Sequence, residues 1–220
     1  MSNEQAVVIY SGGQDSSTCL FWALSRFEEV WAIGFDYGQR HLNELRAAER
    51  ITKAARIPYQ IFKINTLREI SENALTNIDV EIDKKIREGQ PPNTLVEGRN
   101  LLFLTYAGIY AKQKGISNLI MGVNQTDFSG YPDCRDEFIQ SANTTLNAAF
   151  DYEFTIHTPL MWKSKAETWS MAKELGVFEL IRDKTVTCYT GVQGKGCGEC
   201  PACILRAKGL EEYLNKTTMK

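Results

Sequence analysis

The chain has 220 residues, of which 43% are hydrophobic and 24% are charged, and its formal net charge is −2. This composition is ordinary for a globular domain, and the near-neutral charge argues against extensive binding to a nucleic-acid backbone. There is no apolar run of membrane-spanning length, and no basic segment precedes a hydrophobic one at the N-terminus. We therefore expect a cytoplasmic protein without membrane or nucleic-acid partners, built as one domain with a small appendage.

The first predicted strand and helix are joined by a turn that favours phosphate binding. Residues 6–10 predict a buried strand, and residues 15–27 predict an amphipathic helix. The sequence Ser-Gly-Gly-Gln-Asp-Ser-Ser-Thr, at residues 11–18, follows the strand and includes the start of the helix. Adjacent glycines let the backbone approach an anion, and the hydroxyls and free N–H groups at a helix start favour a phosphate. The turn lacks the lysine of a Walker loop and the third glycine of a dinucleotide fingerprint. An ordinary turn with capping serines is the alternative.

Strands and helices alternate along the rest of the chain. Strands are predicted at residues 30–36, 59–64 and 118–123, and helices at 42–56, 100–114, 134–150 and 164–175. This alternation predicts an α/β fold with a doubly wound parallel sheet and helices on both faces. Residues 71–93 are polar and predict a long loop or lid. We interpret Trp162, Trp169 and Met171 as core residues.

Nucleotides bind at the carboxyl ends of the strands in such folds. Gly34 and Gly122 lie near two of these ends, and we expect them to admit the adenine or its ribose. Ordinary turn glycines are the alternative.

Four of the six cysteines lie near the C-terminus, at Cys188, Cys197, Cys200 and Cys203. The spacing C-x8-C-x2-C-x2-C groups three thiolates, and the intervening glycines let the chain fold back to add the fourth. Four sulfurs predict a closed structural zinc site. We expect residues 184–220 to form this zinc-binding segment, packed on a nucleotide-binding domain of residues 1–183. Disulfides, an iron–sulfur cluster and coincidence are the alternatives.

The turn at residues 11–18 resembles the pyrophosphate loop of the ATP pyrophosphatase family, whose members cleave ATP between the α and β phosphates and transfer AMP to an oxygen. Further stretches resemble the 7-cyano-7-deazaguanine synthase family of queuosine-precursor biosynthesis. They are FDYGQRH at residues 35–41, PNTLVEGRN at 92–100, TDFSGYPDCRD at 126–136 and PLMWKSKAET at 159–168. With the cysteine block, the resemblance extends from about residue 6 to about residue 215.

The resemblance implies a carbon–nitrogen ligase with a fold of the adenine-nucleotide α-hydrolase type. ATP would adenylate the carboxylate of 7-carboxy-7-deazaguanine, and ammonia would displace AMP to give the amide. A second ATP would activate the amide oxygen, and loss of AMP would leave the nitrile. The resemblance also implies a homodimer that uses free ammonium, Mg2+ and one structural Zn2+ per chain.

The resemblance also assigns the site residues. Asp15, Ser16, Arg99 and Lys165 would be catalytic, with helix capping as the alternative role of Asp15. ATP would be bound by Tyr10, Ser11, Gly12, Gly13, Gln14, Asp15, Ser16, Ser17, Thr18, Cys19, Leu20, Phe35 and Gly122. The 7-deazaguanine substrate would contact Arg99, Asp127, Tyr131 and Asp133, since carboxylates accept from the N–H groups of a guanine-like edge and tyrosine stacks on the ring. A surface loop in which Asp133 caps the next helix is the alternative.

Two other functions stay open from the sequence. Another pyrophosphate-loop enzyme could adenylate a tRNA base, although such enzymes normally need a basic surface or an RNA-binding domain. A zinc-knuckle nucleic-acid-binding regulator could use the C-terminal cysteines. The slightly negative net charge and the complete phosphate loop argue against the hypothesis of a nucleic-acid-binding regulator.

Overall fold

The fold is centred on one parallel sheet. A computed structural model describes residues 4–84, 91–126 and 130–218. Its strands are β1 (Gln5–Ile9), β2 (Glu29–Asp36), β3 (Tyr59–Lys63), β4 (Asn118–Ile120) and β5 (Thr155–His157). They lie in the order β3-β2-β1-β4-β5, and every neighbouring pair is parallel. From β1 the chain first adds β2 and β3 on one side, and then adds β4 and β5 on the other side. The connections that follow β1 and β4 therefore lead in opposite directions, which creates a crevice at the carboxyl ends of these strands.

Eight helices in the described ranges connect and cover the strands. They are α1 (Gln14–Leu24), α2 (Asn43–Ala55), α3 (Thr66–Ile70), α4 (Arg99–Gln113), α5 (Asp136–Phe150), α6 (Lys165–Glu174), α7 (Phe178–Lys184) and α8 (Pro201–Thr218). A short 3-10 turn at Pro132–Cys134 precedes α5. None of the helices in these ranges is long and apolar enough to cross a membrane.

The alternation of side chains along β1 divides the core into two layers. Val7 and Ile9 belong to one buried cluster, which includes residues of α4 and α5. Ala6, Val8 and Tyr10 belong to a second cluster with residues of α1, α2 and α6. Because successive residues of a strand face opposite sides, both faces of the sheet are covered by helices. The predicted doubly wound parallel sheet is confirmed.

Several of the predicted helices and strands differ from those in the structure, mainly where an element has too few residues to show a periodic sequence pattern. The predicted helix at 134–150 is split, because Arg135 has an extended backbone (ψ 152°) that separates the 3-10 turn from α5. The sequence analysis missed α3, β5, α7 and α8. Of these, β5 is only Thr-Ile-His, too short to show an alternating pattern. The predicted strand at 118–123 ends at Ile120.

The described part of the predicted loop, residues 71–84 and 91–93, contains no helix or strand. Arg40 fastens it to the rest of the fold, because its guanidinium donates to the carbonyl oxygens of Ala74, Ile78 and Val80 at 2.7–3.2 Å. Residues 85–90 lie outside the described residues. The domain boundary at residue 183 stays a prediction.

The interpretation of Trp162 as a core residue is wrong, because its side chain is 65% exposed. Trp169 and Met171 are buried as expected. The Trp169 ring packs against Phe178 at 5.3 Å between centroids, and its Nε1–H donates to the carbonyl oxygen of Arg206 at 3.3 Å. Trp169 therefore joins α6 to α7 and α8.

We predict that Trp169→Ala lowers the free energy of unfolding by about 3–5 kcal/mol, since it leaves a large cavity between three helices. Trp162→Ala, the same chemical change at an exposed position, should alter stability by about 0.5 kcal/mol or less. Urea denaturation followed by circular dichroism measures both values. Equal losses in the two variants would contradict the packing role of Trp169.

Candidate active site

A cavity of about 460 Å³ lies at the carboxyl ends of the strands, where β1 and β4 diverge. The loop after β1 and the residues after β4 form one wall, with Ser11, Gly13 and Gly122. The segment after β2 and the start of α4 form another wall. The C-terminal segment closes the cavity with residues such as Tyr189 and Arg206. The cavity therefore draws on parts of the chain that lie far apart in sequence.

The phosphate loop presents hydroxyl and amide donors at the start of α1. Ser11 Oγ and Ser16 Oγ lie 3.1 Å apart, and the backbone N–H of Ser11 donates to Ser16 Oγ at 3.3 Å. Gly13 is the N-cap residue and has no side chain to cap the helix, whose first N–H, that of Gln14, donates to Thr187 Oγ1. The following N–H groups at the helix N-terminus, with the nearby hydroxyls, suit an anion. Capping by Asp15, the alternative in the sequence analysis, is not observed.

Asp15 instead forms an ion pair with Lys165. The Nζ of Lys165 donates to Asp15 Oδ1 at 3.0 Å and to Oδ2 at 2.9 Å. Lys165 is buried, and the side chain of Asp15 is about one-third exposed. The pair places one acidic and one basic group beside the phosphate loop, where an incoming phosphate and its cation could compete for them.

Helix α8 fixes the position of Lys165. A Cβ at Gly209 would lie 2.5 Å from Lys165 Cβ and 2.9 Å from the Lys165 carbonyl carbon. Such contacts are too short for any side chain, so the absence of a side chain at residue 209 lets α8 pack directly on the first residue of α6.

The phosphate loop is also bound to the C-terminal segment. The N–H of Val186 donates to the Gly12 carbonyl oxygen at 3.0 Å, and Thr187 Oγ1 accepts from the N–H of Gln14 at 3.1 Å. Arg206 is buried and donates to Thr187 Oγ1 at 2.9 Å. Burial lowers the pKa of Arg206 to about 10. Its other contacts are to Thr185 Oγ1 and to the carbonyl oxygens of Ile181 and Arg182.

A second charged group lies in another part of the cavity. Glu44, in the first turn of α2, is half-buried and lines the cavity. Burial raises the pKa of Glu44 to about 7, and the nearby charge of Arg99 opposes this shift. Arg99 donates to the Tyr37 hydroxyl at 3.4 Å, and its guanidinium lies over the rings of Tyr37 and Phe103. In the described part of the chain, the Arg99 Nε–H has no hydrogen-bond partner.

The four C-terminal cysteines form a single cluster. Their Sγ atoms all lie within 4.8 Å of one another. Four sulfurs bound about 2.3 Å from a tetrahedral zinc would lie about 3.8 Å apart, so the cluster needs only a small contraction. The backbone N–H groups of Glu199 and Cys200 point at Cys197 Sγ at 3.5 and 3.4 Å. Gly196 has φ of +72°, and a Cβ there would overlap Cys203 Sγ. The donor set fits a metal ion.

Many of the predicted site residues meet at the cavity. Those that line it are Tyr10, Ser11, Gly13, Gln14, Asp15, Ser16, Phe35, Arg99, Gly122, Tyr131 and Lys165. The remaining predicted ATP-binding residues are not among the lining residues, because Ser17, Thr18, Cys19 and Leu20 are buried within α1 and Gly12 packs against the backbone of α2. Asp127 lies outside the described residues.

Two predicted roles need correction. The space beside Gly34 is filled by the Tyr59 hydroxyl, so this glycine admits a side chain of β3 and not a nucleotide. Asp133 is buried, and its Oδ2 accepts from the N–H of Asn100 at 3.0 Å. It therefore caps the start of α4. It does not cap the following helix, α5, and it is not among the residues that line the cavity.

The sequence analysis missed several cavity residues, including Glu44, Thr187, Tyr189 and Arg206. A positional signal existed for Glu44, because it lies in the first turn of the helix that follows β2, whose carboxyl end faces the crevice. No local signal marks Thr187 or Arg206, since Thr187 contacts Gln14 of the loop across 173 residues of chain and Arg206 supports the loop through its hydrogen bond to Thr187.

The sequence profile of the family described as "Queuosine biosynthesis protein QueC" matches residues 5–214 of the chain. The 7-cyano-7-deazaguanine synthase of Clostridium novyi is 54% identical over 213 residues, which cover 97% of this chain and 96% of the relative. The protein of the same name from Clostridium acetobutylicum is 53% identical with the same coverage.

Solved structures with lower sequence identity share the fold. A 4-thiouridine synthetase in complex with RNA and bound ATP has a TM-score of 0.54 at 18% identity, and the match covers 96% of this chain and 51% of that chain. The NMN synthetase of Francisella tularensis has a TM-score of 0.53 at 15% identity, with 97% and 85% coverage. The predicted fold of the adenine-nucleotide α-hydrolase type is confirmed.

We predict that Thr187→Val weakens ATP binding about 10-fold, because it leaves the Gln14 N–H at the phosphate loop without its acceptor. Thr187→Ser keeps the hydroxyl and should bind ATP like the unmodified chain. Calorimetric titration with ATP measures both dissociation constants. If Thr187→Val bound ATP normally, the C-terminal segment would not support the loop.

We predict that Cys200→Ser reduces the metal content from about one ion per chain to near zero and lowers the Tm, since three thiolates hold a metal less tightly than four. Cys134→Ser, at a cysteine outside the cluster, should keep its metal. Elemental analysis and thermal denaturation of both purified variants test this. Full metal content and an unchanged Tm in Cys200→Ser would refute the assignment.

Proposed function

Since the chain belongs to the queuosine biosynthesis protein QueC family, we propose that it is an ATP-dependent carbon–nitrogen ligase. It converts 7-carboxy-7-deazaguanine and ammonia to 7-cyano-7-deazaguanine through an adenylated carboxylate and then an adenylated amide. The role in queuosine biosynthesis follows from the family. The two intermediates and the use of ammonia are what the experiments below address.

The arrangement of charge in the cavity is the observation that carries this proposal. The phosphate loop, with Lys165 and Asp15, lines the same cavity as Arg99 and Glu44. A nucleotide bound by the loop would thus share one cavity with an acceptor molecule bound near Arg99. Such proximity supports transfer of AMP to a bound carboxylate, because it makes the step effectively intramolecular.

The loop residues would bind the phosphates of ATP. Ser11 and Ser16 present hydroxyls, and the start of α1 presents backbone N–H groups. Lys165 would donate to phosphate oxygens and stabilise the pyrophosphate as it leaves. Asp15 is the residue that would hold Mg2+, and the cation would neutralise the negative charge of the leaving group.

Arg99 would bind the carboxylate that is to be adenylated. A guanidinium binds a carboxylate through parallel N–H donors, and the Nε–H of Arg99 has no partner in the described part of the chain. Its contact with the Tyr37 hydroxyl and its position over two aromatic rings hold the guanidinium plane in a defined orientation. Ammonia would then attack the adenylated carbonyl carbon and release AMP.

The cysteine cluster would hold one structural Zn2+. Four thiolates leave no open coordination position, so the ion would stabilise the C-terminal segment and would not take part in the reaction. Absence of visible absorbance in the purified protein, together with zinc in elemental analysis, would distinguish zinc from an iron–sulfur cluster. The homodimer implied by the resemblance stays a prediction.

Mass spectrometry of a reaction containing the chain, ATP, Mg2+, ammonium and 7-carboxy-7-deazaguanine tests the proposed function. We expect the nitrile to appear with AMP and pyrophosphate, and the amide to appear first when ATP is limiting. AMP without amide or nitrile would show that the adenylated acceptor is a different molecule. No AMP from folded, metal-loaded protein would contradict the adenylation chemistry.

We predict that Lys165→Met lowers kcat by about 100-fold, since it removes a fixed positive charge where the leaving pyrophosphate gains negative charge. Lys163→Met is the matched control, because Lys163 is two residues away and does not line the cavity. AMP release measured by chromatography should be normal in this control. Equal losses in the two variants would contradict a specific role for Lys165.

A further inference from the structure

Glu44 is an ionisable group in the cavity that the proposed reaction does not use. It lies in the first turn of α2, and it lines the cavity. Within residues 4–84, 91–126 and 130–218, no hydrogen bond or ion pair engages its carboxylate. Leaving a half-buried carboxylate without donors costs free energy, and its raised pKa reflects this cost. A ligand with suitable donors would remove it.

The other described carboxylates in the cavity wall have partners. Asp15 accepts from Lys165, and Asp83 also has an interaction partner. Asp133, the expected contact for the base, is used to cap α4. Glu44 is therefore the carboxylate of the described cavity wall that is left for a bound molecule.

The charge of Glu44 limits what that molecule can present. A carboxylate repels phosphates, which are attracted to Lys165 and the start of α1. Groups facing Glu44 must instead be hydrogen-bond donors. Adenine presents an acceptor at N1 and so cannot offer a carboxylate two adjacent donors from its pyrimidine ring. A guanine-like ring can, because its N1–H and 2-amino group lie side by side.

The surroundings of Glu44 suit a planar ring. Tyr37, Tyr131 and Tyr189 all line the cavity. The Tyr131 hydroxyl contacts Thr94 Oγ1 at 2.7 Å and the Tyr189 hydroxyl at 3.4 Å, which fixes the orientation of both phenol groups. Aromatic side chains held in this way provide flat, apolar surfaces against which a base can stack.

We propose that Glu44 recognises the guanine-like edge of the substrate, accepting hydrogen bonds from the ring N1–H and the 2-amino group. This inference rests on the proposed function, since it assigns a contact to the base of that same reaction. Glu44 is a specificity residue and takes no part in bond formation. It also keeps the base region of the cavity free of adenine, so that ATP and the substrate bind in one arrangement only.

Calorimetric titration with 7-deazaguanine, which lacks the reacting carboxylate, tests the contact without turnover. We expect Glu44→Gln to bind it about 10- to 100-fold more weakly, because the new amide group would place a donor against a donor. The dissociation constant for ATP should change by less than about twofold, as phosphates do not contact residue 44. Glu49→Gln, at an exposed position of the same helix, should bind both ligands normally.

A second experiment uses the unmodified chain alone, so it does not depend on how a variant folds. 7-Deazahypoxanthine lacks only the 2-amino group, and it should bind at least about 10-fold more weakly than 7-deazaguanine. In Glu44→Gln this difference should disappear. If Glu44→Gln kept the full preference for 7-deazaguanine over 7-deazahypoxanthine, the inference would be overturned. A variant that changed the KM for ammonium but not the binding of the base would also overturn it.

Failure of the inference and failure of the proposed function give different results. Nitrile formation with unchanged base binding in Glu44→Gln would overturn the inference and leave the function standing. Binding of 7-deazaguanine that depends on Glu44, without nitrile formation by the unmodified chain, would support the contact and reject the function. No binding of 7-deazaguanine to the unmodified chain would overturn the inference.

Discussion

Two hydrogen bonds join the phosphate loop to the segment that leads into the cysteine cluster. The Gly12 carbonyl oxygen accepts from Val186, and the Gln14 N–H donates to Thr187, which is followed directly by Cys188. The C-terminal segment therefore supports the conformation of the loop. A metal bound by four cysteines would add to the stability of this small segment. Through these two bonds, a metal without a catalytic position would still influence the ATP binding proposed for the loop.

The same C-terminal segment also sets the distribution of charge in the cavity. Helix α8 packs on α6 at Gly209 and so holds Lys165 beside Asp15, while Arg206 of α8 supports Thr187 from behind. The positive charge of Lys165 thus lies at the phosphate loop. The carboxylate of Glu44 comes from α2 and faces the cavity without a described partner. Because Lys165 attracts phosphate and a carboxylate repels it, this distribution of charge would favour phosphate binding at the loop and away from Glu44.

The sequence was sufficient to predict four of the five strands of the sheet, the loop and the cysteine cluster, because each depends on neighbouring residues. β1 alternates between two helix layers, the loop needs adjacent glycines before a helix, and the cysteines are close in sequence. Trp162 shows the limit of such reasoning. It looks like a core residue by type, yet it lies in a turn where nothing covers it, whereas Trp169 is buried because α7 and α8 pack on it.

Asp133 and Glu44 show why the base contact could not be predicted from the sequence. Both are acidic residues close to a helix start. Asp133 lies within a stretch that resembles the family, at residues 126–136, and Glu44 lies three residues after another, at residues 35–41. What separates them is the position of α4, whose first N–H groups take up Asp133 and leave Glu44 facing the cavity. A carboxylate that satisfies a helix end has lost its capacity to bind a ligand at that oxygen. The position of Glu44 after β2 marks it as a candidate, but deciding which carboxylate is free requires knowing that the start of α4 packs on Asp133.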